Sequence, residues 1–350
     1  MKKILITGSG GLIGSEAAKV YISRGFKVYG IDNNMRKTFF GEKGDVSSSI
    51  KKLMLMDGDY NHSYIDIRDR NIVDYFIKSA KPDMIIHCAA QPSHDLAAAI
   101  PFDDFETNAV GTLNLLEATR KYCRESAFVY VSTNKVYGDR PNHFPLNEHD
   151  LRWDFADISL RDGFDETLSI DNCLHSLFGT SKAAADLLAQ EYGKYFGMNV
   201  GVFRGGCLTG PNHAGVELHG FLSYIVKCAM RGEKYTVFGY KGKQVRDQIH
   251  SSDVISAFDC FMASPKQGEV YNLGGGRDNS ASILEIIELI RDISGKELQW
   301  TYSDVARKGD HICYITNMKK FKTSFPDWKM KMSLPNIIRE IVENEKHYIK

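Results

Sequence analysis

Lys3-Ile4-Leu5-Ile6-Thr7-Gly8-Ser9-Gly10-Gly11-Leu12-Ile13-Gly14 decides the fold. A short apolar run stops at glycines, after which Leu12, Ile13, Ala17, Ala18, Val20 and Tyr21 recur at helical spacing, so strand, tight turn and helix follow one another. Gly8, Gly11 and Gly14 stand in a GxxGxxG spacing. Without β-carbons, the backbone there can approach a phosphate and the helix can pack hard against the strand. A pyrophosphate on such a turn meets unpaired N–H groups and the positive end of the helix dipole, with Leu12 and Ile13 supplying the first helical amides. Glycines alone are weak evidence, and the next strand supplies the context. Lys27-Val28-Tyr29-Gly30-Ile31 ends at Asp32, where a dinucleotide-binding unit carries a carboxylate for the adenosine ribose. That carboxylate repels a 2′-phosphate and so favours NAD over NADP, with Arg36 close by working the other way. Asn33 and Asn34 belong to the same candidate cofactor edge.

Outward from this unit, residues 33–52 read as a polar loop or loose helix. Asp66-Ile67 is placed to hold the adenine, while Asp69 equally suits a helix N-cap before Ile72, Val73, Tyr75 and Phe76. Asp83-Met84-Ile85-Ile86-His87-Cys88-Ala89-Ala90 reads as a buried parallel strand ending in small residues. A helix over 102–122 follows, then the strand Phe128-Val129-Tyr130-Val131-Ser132-Thr133, a polar insert over 140–175, a helix over 180–196 and a strand over 199–204. Buried strands alternating with helices predict an α/β fold of the Rossmann type, a doubly wound parallel sheet. In such sheets ligands collect at the carboxyl ends of strands, where the Gly8 turn, Asp32, Ala89-Ala90 and Ser132-Thr133 all fall.

The 350 residues carry 44 Lys+Arg against 44 Asp+Glu, which steers nothing toward nucleic acid or an acidic membrane and leaves a small molecule as the expected partner. Seven cysteines without a CxxC pair argue for reduced thiols and no metal site. Two lysines lead straight into a strand too short for a signal peptide or a span, so a cytoplasmic location is expected.

Several stretches taken together resemble the extended short-chain dehydrogenase/reductase family of nucleotide-sugar epimerases and dehydratases. They are the early GxxGxxG, Asp66-Ile67, Ala89-Ala90, Asn108 with Gly111-Thr112, Ser132-Thr133 before Val136-Tyr137-Gly138, and Lys182 in Ser181-Lys182-Ala183-Ala184-Ala185-Asp186. Ser132–Asp139, Gly163–Glu166 and Gly242–Asp247 look like a CDP-sugar branch of it. The resemblance implies NAD as cofactor, with Gln91, Asn108, Ser132, Lys182 and Arg204 added to its bed. It implies a nucleoside-diphosphate sugar as substrate, a CDP-hexose by preference, bound by Asn134, His213, His219, Phe221, Arg246 and Arg307. It places the nucleotide-binding domain at 1–203 and 240–265 and a smaller C-terminal α/β substrate lobe at 204–239 and 266–350. It also implies a homodimer or homotetramer through the helices 102–122 and 180–196.

The family's chemistry runs on a Tyr-x-x-x-Lys whose two side chains share one helix face. Here the lysine is Lys182 and the tyrosine position is Phe178, which has no ionisable group. Ser132 and Thr133 could relay a proton, although a hydroxyl alone is a poor base at neutral pH. His94, with Asp95 beside it, titrates in the right range at a strand's carboxyl end. Tyr137 reads as structural, and Cys207 opens the lobe where the sugar belongs. Three functions stay open: an epimerase that oxidises and re-reduces a sugar carbon, a nucleotide-sugar reductase or dehydrogenase using free NAD(P), and a dinucleotide-binding sensor without catalysis.

Overall fold

The computed structural model describes residues 1–211, 220–306 and 309–349. Its strands in chain order are β1 (Lys3–Thr7), β2 (Lys27–Ile31), β3 (Tyr60–Ser63), β4 (Met84–His87), β5 (Ala127–Thr133), β6 (Leu146–Glu148), β7 (Trp153–Phe155) and β8 (Val200–Gly205). There follow β9 (Cys207–Thr209), β10 (Tyr235–Phe238), β11 (Val245–His250), β12 (Glu269–Leu273), β13 (Ser280–Ser282), β14 (Trp300–Ser303) and β15 (Cys313–Tyr314).

The chain divides into two units, the first made of Met1–Val136, Leu177–Arg204 and Val254–Tyr271. Its sheet has seven strands in the order β3-β2-β1-β4-β5-β8-β12, and β1 pairs in parallel with both β2 and β4. The order reverses between β1 and β4, the switch point at which a doubly wound sheet opens a ligand crevice. Leu5, Ile85, Phe128, Val200 and Val202 are wholly buried under Val73 and Ile77 on one helix and Leu115, Leu116, Ala185 and Ala189 on others. Each such aliphatic side chain contributes about 1.5–3 kcal/mol by leaving water, so Leu115→Ala here costs about 2–5 kcal/mol.

The region 33–52 is more ordered than a loose loop: α2 (Met35–Phe40) and α3 (Ser47–Met54) follow α1 (Leu12–Ser23). Asp69 caps α4 (Arg70–Ala80), its carboxylate accepting from the amides of Asn71 and Ile72. After the single turn α5 (His94–Ala97), the helix expected over 102–122 comes in three parts: α6 (Pro101–Phe105), a π turn at Glu106–Val110, and α7 (Gly111–Tyr122). A β-carbon on Gly111 would fall 2.6 Å from Cδ1 of Ile67, so glycine is what lets α7 approach the segment after β3. The later helix α8 starts earlier than expected, at Ser176, and runs to Lys194.

The second unit comprises Tyr137–Ser176, Gly205–Asp253 and Asn272–Lys350. The polar insert and residues 240–253 therefore group here, not with the nucleotide-binding unit. Its aromatics explain why: the rings of Phe144 and Phe155 lie 5.0 and 5.1 Å from that of Phe164, which lies 5.9 Å from Tyr314 on β15. β6 and β7 form an antiparallel hairpin inside this insert. β11 is central, pairing in parallel with β9 and β15 and antiparallel with β13. Helices Phe221–Arg231, Ile283–Ser294 and Leu334–Ile349 close a second core through Ile225, Val226, Ile286, Ile290, Ile337 and Ile338. Among the described residues no helix is long and apolar enough to cross a membrane.

Candidate active site

The glycine turn is fixed by contacts that tolerate no side chain. Gly8 has φ +68° and donates its N–H to the carbonyl of Ile31 at 2.7 Å. A β-carbon on Gly14 would fall 2.1 Å from the Gly8 carbonyl oxygen, and one on Gly8 2.8 Å from the amide nitrogen of Ala89. α1 therefore starts directly under the turn, with Gly11 at its N-cap and no side chain capping the first amides. Asp32 accepts from the Gly10 amide with Oδ2 and from the Asn34 amide with Oδ1, both at 2.8 Å. Burial pushes its carboxyl pKa up, and the two amide bonds work against that shift. Asn34, at φ +57°, joins Asp45 and Ser47 through its side-chain amide, and Asn33 accepts from the Met35 amide. Arg36 lies over the Phe40 ring at 4.9 Å, within electrostatic reach of Asp32. A cradle that a β-carbon would fill, uncapped amides and a carboxylate at the next strand end fit a dinucleotide. Tyr60 and Ser9, which the sequence did not single out, belong to this edge: the Tyr60 hydroxyl donates to Ser9 at 3.2 Å in the space that glycine at position 30 leaves open.

Other expected cofactor residues hold the protein's own frame. Asn108, brought round by the π turn, accepts from the Gln91 amide at 2.9 Å and donates to Asp104 and Ser181. Gln91 donates to Asp104 and accepts from the Ser93 amide. With both side chains buried and committed to partners, their part is to fix the loop after Ala89-Ala90 against α8. Asp66 is gripped by the Arg68 guanidinium at 2.7 Å, and Ile67 packs against Gly111.

At the end of β5 the two hydroxyls part company. Ser132 donates to Asp186 at 2.6 Å, and Arg204 clamps the same carboxylate from Nε at 3.0 Å and Nη2 at 2.9 Å. All three side chains are buried, so the relay expected of Ser132 and the cofactor contact expected of Arg204 give way to a brace between β5, β8 and α8. The clue in the sequence was Asp186, one helical turn after Lys182 on a largely apolar helix. Thr133 is only half-buried, and its oxygen accepts from the Lys135 amide at 3.2 Å. Asn134 is buried beside it.

Lys182 donates to the Val131 carbonyl at 2.8 Å and sits 4.4 Å over the Tyr130 ring. Burial lowers its pKa to about 8, against the pull of Asp186, Cys88 and Asp104. Phe178, four residues earlier, is 8 % exposed, and its ring faces that of His94 at 6.5 Å. His94 opens α5, which Ser93 caps, and its Nδ1 is 3.8 Å from Asp95. Ser176, at the head of α8, has φ +61°, a conformation a non-glycine residue adopts only at a cost.

In the second unit, the Tyr137 hydroxyl donates to Asn272 at 2.7 Å inside the core, the structural part expected of it. Cys207 lies on β9 opposite Gln248 of β11. Arg246 of β11 is buried, donating to Asp310 at 2.5 Å, to the Val245 carbonyl at 2.7 Å and to the His311 carbonyl. Burial is the largest single influence and opposes its charge, but Asp310, by charge and hydrogen bond, together with Cys207 and Cys313 leaves its pKa raised. Phe221 packs at the start of its helix against the second core. His213, His219 and Arg307 lie outside the described residues.

Residues 4–274 match the family model described as the NAD dependent epimerase/dehydratase family. The chain is 33 % identical over 348 residues to CDP-paratose 2-epimerase of Salmonella typhi, spanning 97 % of this chain and 98 % of that one. It superposes on UDP-glucose 4-epimerase of Thermotoga maritima, solved with UDP-glucose, at TM-score 0.81 and 24 % identity over 99 % of this chain and 100 % of that one. Against dTDP-glucose 4,6-dehydratase of Bacillus anthracis in complex with NAD, the TM-score is 0.76 and identity 26 % over 99 % and 97 % of the two chains. Family model, full-length relative and the glycine turn on its seven-stranded sheet agree: the chain belongs to the NAD dependent epimerase/dehydratase family.

Proposed function

We propose that this protein is an NAD-dependent epimerase of a nucleoside-diphosphate sugar, a CDP-hexose by preference, inverting one sugar carbon by transient oxidation. The observation that carries the reading is the contact of the His94 ring with that of Phe178, one helical turn before Lys182, whose ammonium reaches the Val131 carbonyl near the end of β5, in the unit that holds the dinucleotide turn. The preference for CDP is supported by the full-length likeness to the Salmonella typhi enzyme. NAD, held on the glycine turn and by Asp32, would supply the two-electron chemistry of the oxidation and its reversal. Lys182, cationic below about pH 8, orients the nicotinamide ribose. Thr133 hydrogen-bonds the reacting sugar hydroxyl. His94 takes the hydroxyl proton during oxidation and gives it back on reduction, because Phe178 has no proton to exchange. Phe178 walls the site and keeps water from the sugar. For the diphosphate, the resemblance offers Arg246 of the second unit, whose guanidinium fork suits paired oxygens.

Two measurements test this. Mass analysis of nucleotides released on denaturation should find NAD. Proton NMR of CDP-, UDP- and GDP-hexoses incubated with the protein should show inversion at one carbon with no net NADH, strongest for a CDP-hexose. Net NADH formation would replace the epimerase with a dehydrogenase. Bound NAD without turnover on any sugar would favour the sensor, the reading that Phe178 by itself supports.

A further inference from the structure

The insert between the two candidate catalytic stretches has no part in the reading above, yet its contacts converge on one place in the second unit. Gly239, Tyr240, Lys241 and Gly242 all have φ between +50° and +73°. Glycine takes that region freely, whereas Tyr240 and Lys241 are strained there. The turn leads directly into Gln244-Val245-Arg246.

The β6–β7 hairpin grips this turn from several sides. The Trp153 amide donates to the Lys243 carbonyl at 2.9 Å, and its indole N–H donates to the Tyr240 carbonyl at 3.3 Å. Glu148 accepts from the ammonium groups of both Lys241 and Lys243, at 2.9 and 2.8 Å. Earlier in the insert, Asn142 donates to the Asp310 carbonyl and accepts from the Ile312 amide, each at 2.8 Å. Asp310 is the carboxylate paired with Arg246. The insert thus fixes both the strand entry that carries Arg246 and the segment that carries its counter-ion. The hairpin is itself anchored on its far side, where Asp154 accepts from Arg277 at 2.7 Å and Phe155 packs on Phe164. The Tyr240 phenol has its pKa raised by burial and by Asp310, with Arg246 opposing, so it shares their electrostatic neighbourhood.

We propose that residues Asn142–Phe155 are a positioning device for nucleoside-diphosphate recognition: through Trp153, Glu148 and Asn142 the hairpin holds a strained turn so that Tyr240 and Arg246 face the ligand. Tyr240 is the contact this assigns, its hydroxyl meeting the diphosphate or the ribose next to it. The inference rests on the nucleotide-sugar reading and adds to it which elements of the chain set the affinity.

Calorimetric titration of the full chain with CDP, UDP and dTDP tests it. The double variant Glu148→Gln, Trp153→Phe should bind the best of the three 10- to 100-fold more weakly than wild type, with NAD content on denaturation unchanged. In turnover the loss should fall on KM, with kcat within a factor of two. Lys241→Gly guards against a folding defect: glycine takes the left-handed turn without strain, so its melting temperature should hold or rise while nucleotide affinity still drops. Wild-type affinity in either folded variant overturns the assignment of the hairpin. Wild-type protein that binds none of the three nucleotides removes the nucleotide-sugar reading beneath it.

Discussion

His94 and Phe178 lie ring against ring, centroids 6.5 Å apart and planes at 60°, with Lys182 one helical turn beyond Phe178. An imidazole thus borders the position where the family's phenol would stand. His94→Asn should lower turnover by about two to four powers of ten while NAD binding stays near wild type. Phe178→Tyr should change turnover far less. Steady-state kinetics on both variants check this, and a large gain from Phe178→Tyr with little loss from His94→Asn would move the acid–base work to position 178.

Lys182 sets a pH dependence of stability. Its folded pKa, about 8, is below the ordinary 10.5, so between those values the unfolded chain holds a proton the folded one has released. Stability therefore rises with pH across that window, and below it the penalty of burying the ammonium is present in full. Lys182→Met should raise the melting temperature of nucleotide-free protein at pH 7 and flatten its rise from pH 8 to 10. Calorimetry on the two proteins across that range decides it.

Asp32→Ala removes an acceptor for the ribose and also frees the amides of Gly10 and Asn34. Losing a hydrogen bond to a charged group costs about 1.5–3 kcal/mol, so NAD should bind roughly 10- to 150-fold more weakly. Preference over NADP should narrow. Titration with both dinucleotides measures the ratio, and an unchanged ratio would take Asp32 out of the cofactor site.

The Ser132–Asp186–Arg204 brace separates two kinds of loss. Ser132→Ala leaves the ion pair whole and should cost about 1 kcal/mol, whereas Asp186→Ala strands a buried guanidinium and should cost about 3–5 kcal/mol. Urea denaturation of both variants and their double mutant gives the coupling. Equal losses would mean that Arg204 finds another counter-charge.

Phe102, Phe105, Leu113 and Leu187 along α6, α7 and α8, and Tyr195 just past the end of α8, are 37–82 % exposed, an apolar display that suits a second copy of the chain. Light scattering at micromolar concentration should report at least a dimer, and Leu113→Glu should shift it toward monomer. A wild-type monomer would refute the expected assembly.

What could be read from the sequence followed from backbone requirements and local pattern. Gly14 announces itself because no other residue survives a 2.1 Å approach to the Gly8 carbonyl, Gly8 because a β-carbon there would fall 2.8 Å from the Ala89 amide nitrogen, and Asp69 caps the helix directly after it. Lys182 and Phe178 were legible only through the resemblance, which supplies the Tyr-x-x-x-Lys that they are set against. Ser132 was not, because the carboxylate that claims its hydroxyl lies 54 residues away and only the fold brings them together. The insert looked featureless for the same reason: Asn142 meets Asp310 across 168 residues, and two strands of three residues leave almost no periodic trace.

The π turn at Glu106–Val110 makes this segment sensitive to a one-codon deletion. An α-helix advances about 100° per residue, so the extra residue rotates all that precedes it relative to α7. Asp104 and Asn108 can therefore both reach Ser181 while Gly111 still turns its bare side to Ile67. Removing one residue from 106–110 would give a more regular helix whose two halves no longer face the right neighbours. Substitutions there should be tolerated better than changes of length, and length variants should lose the loop after Ala90 before they lose the helix itself.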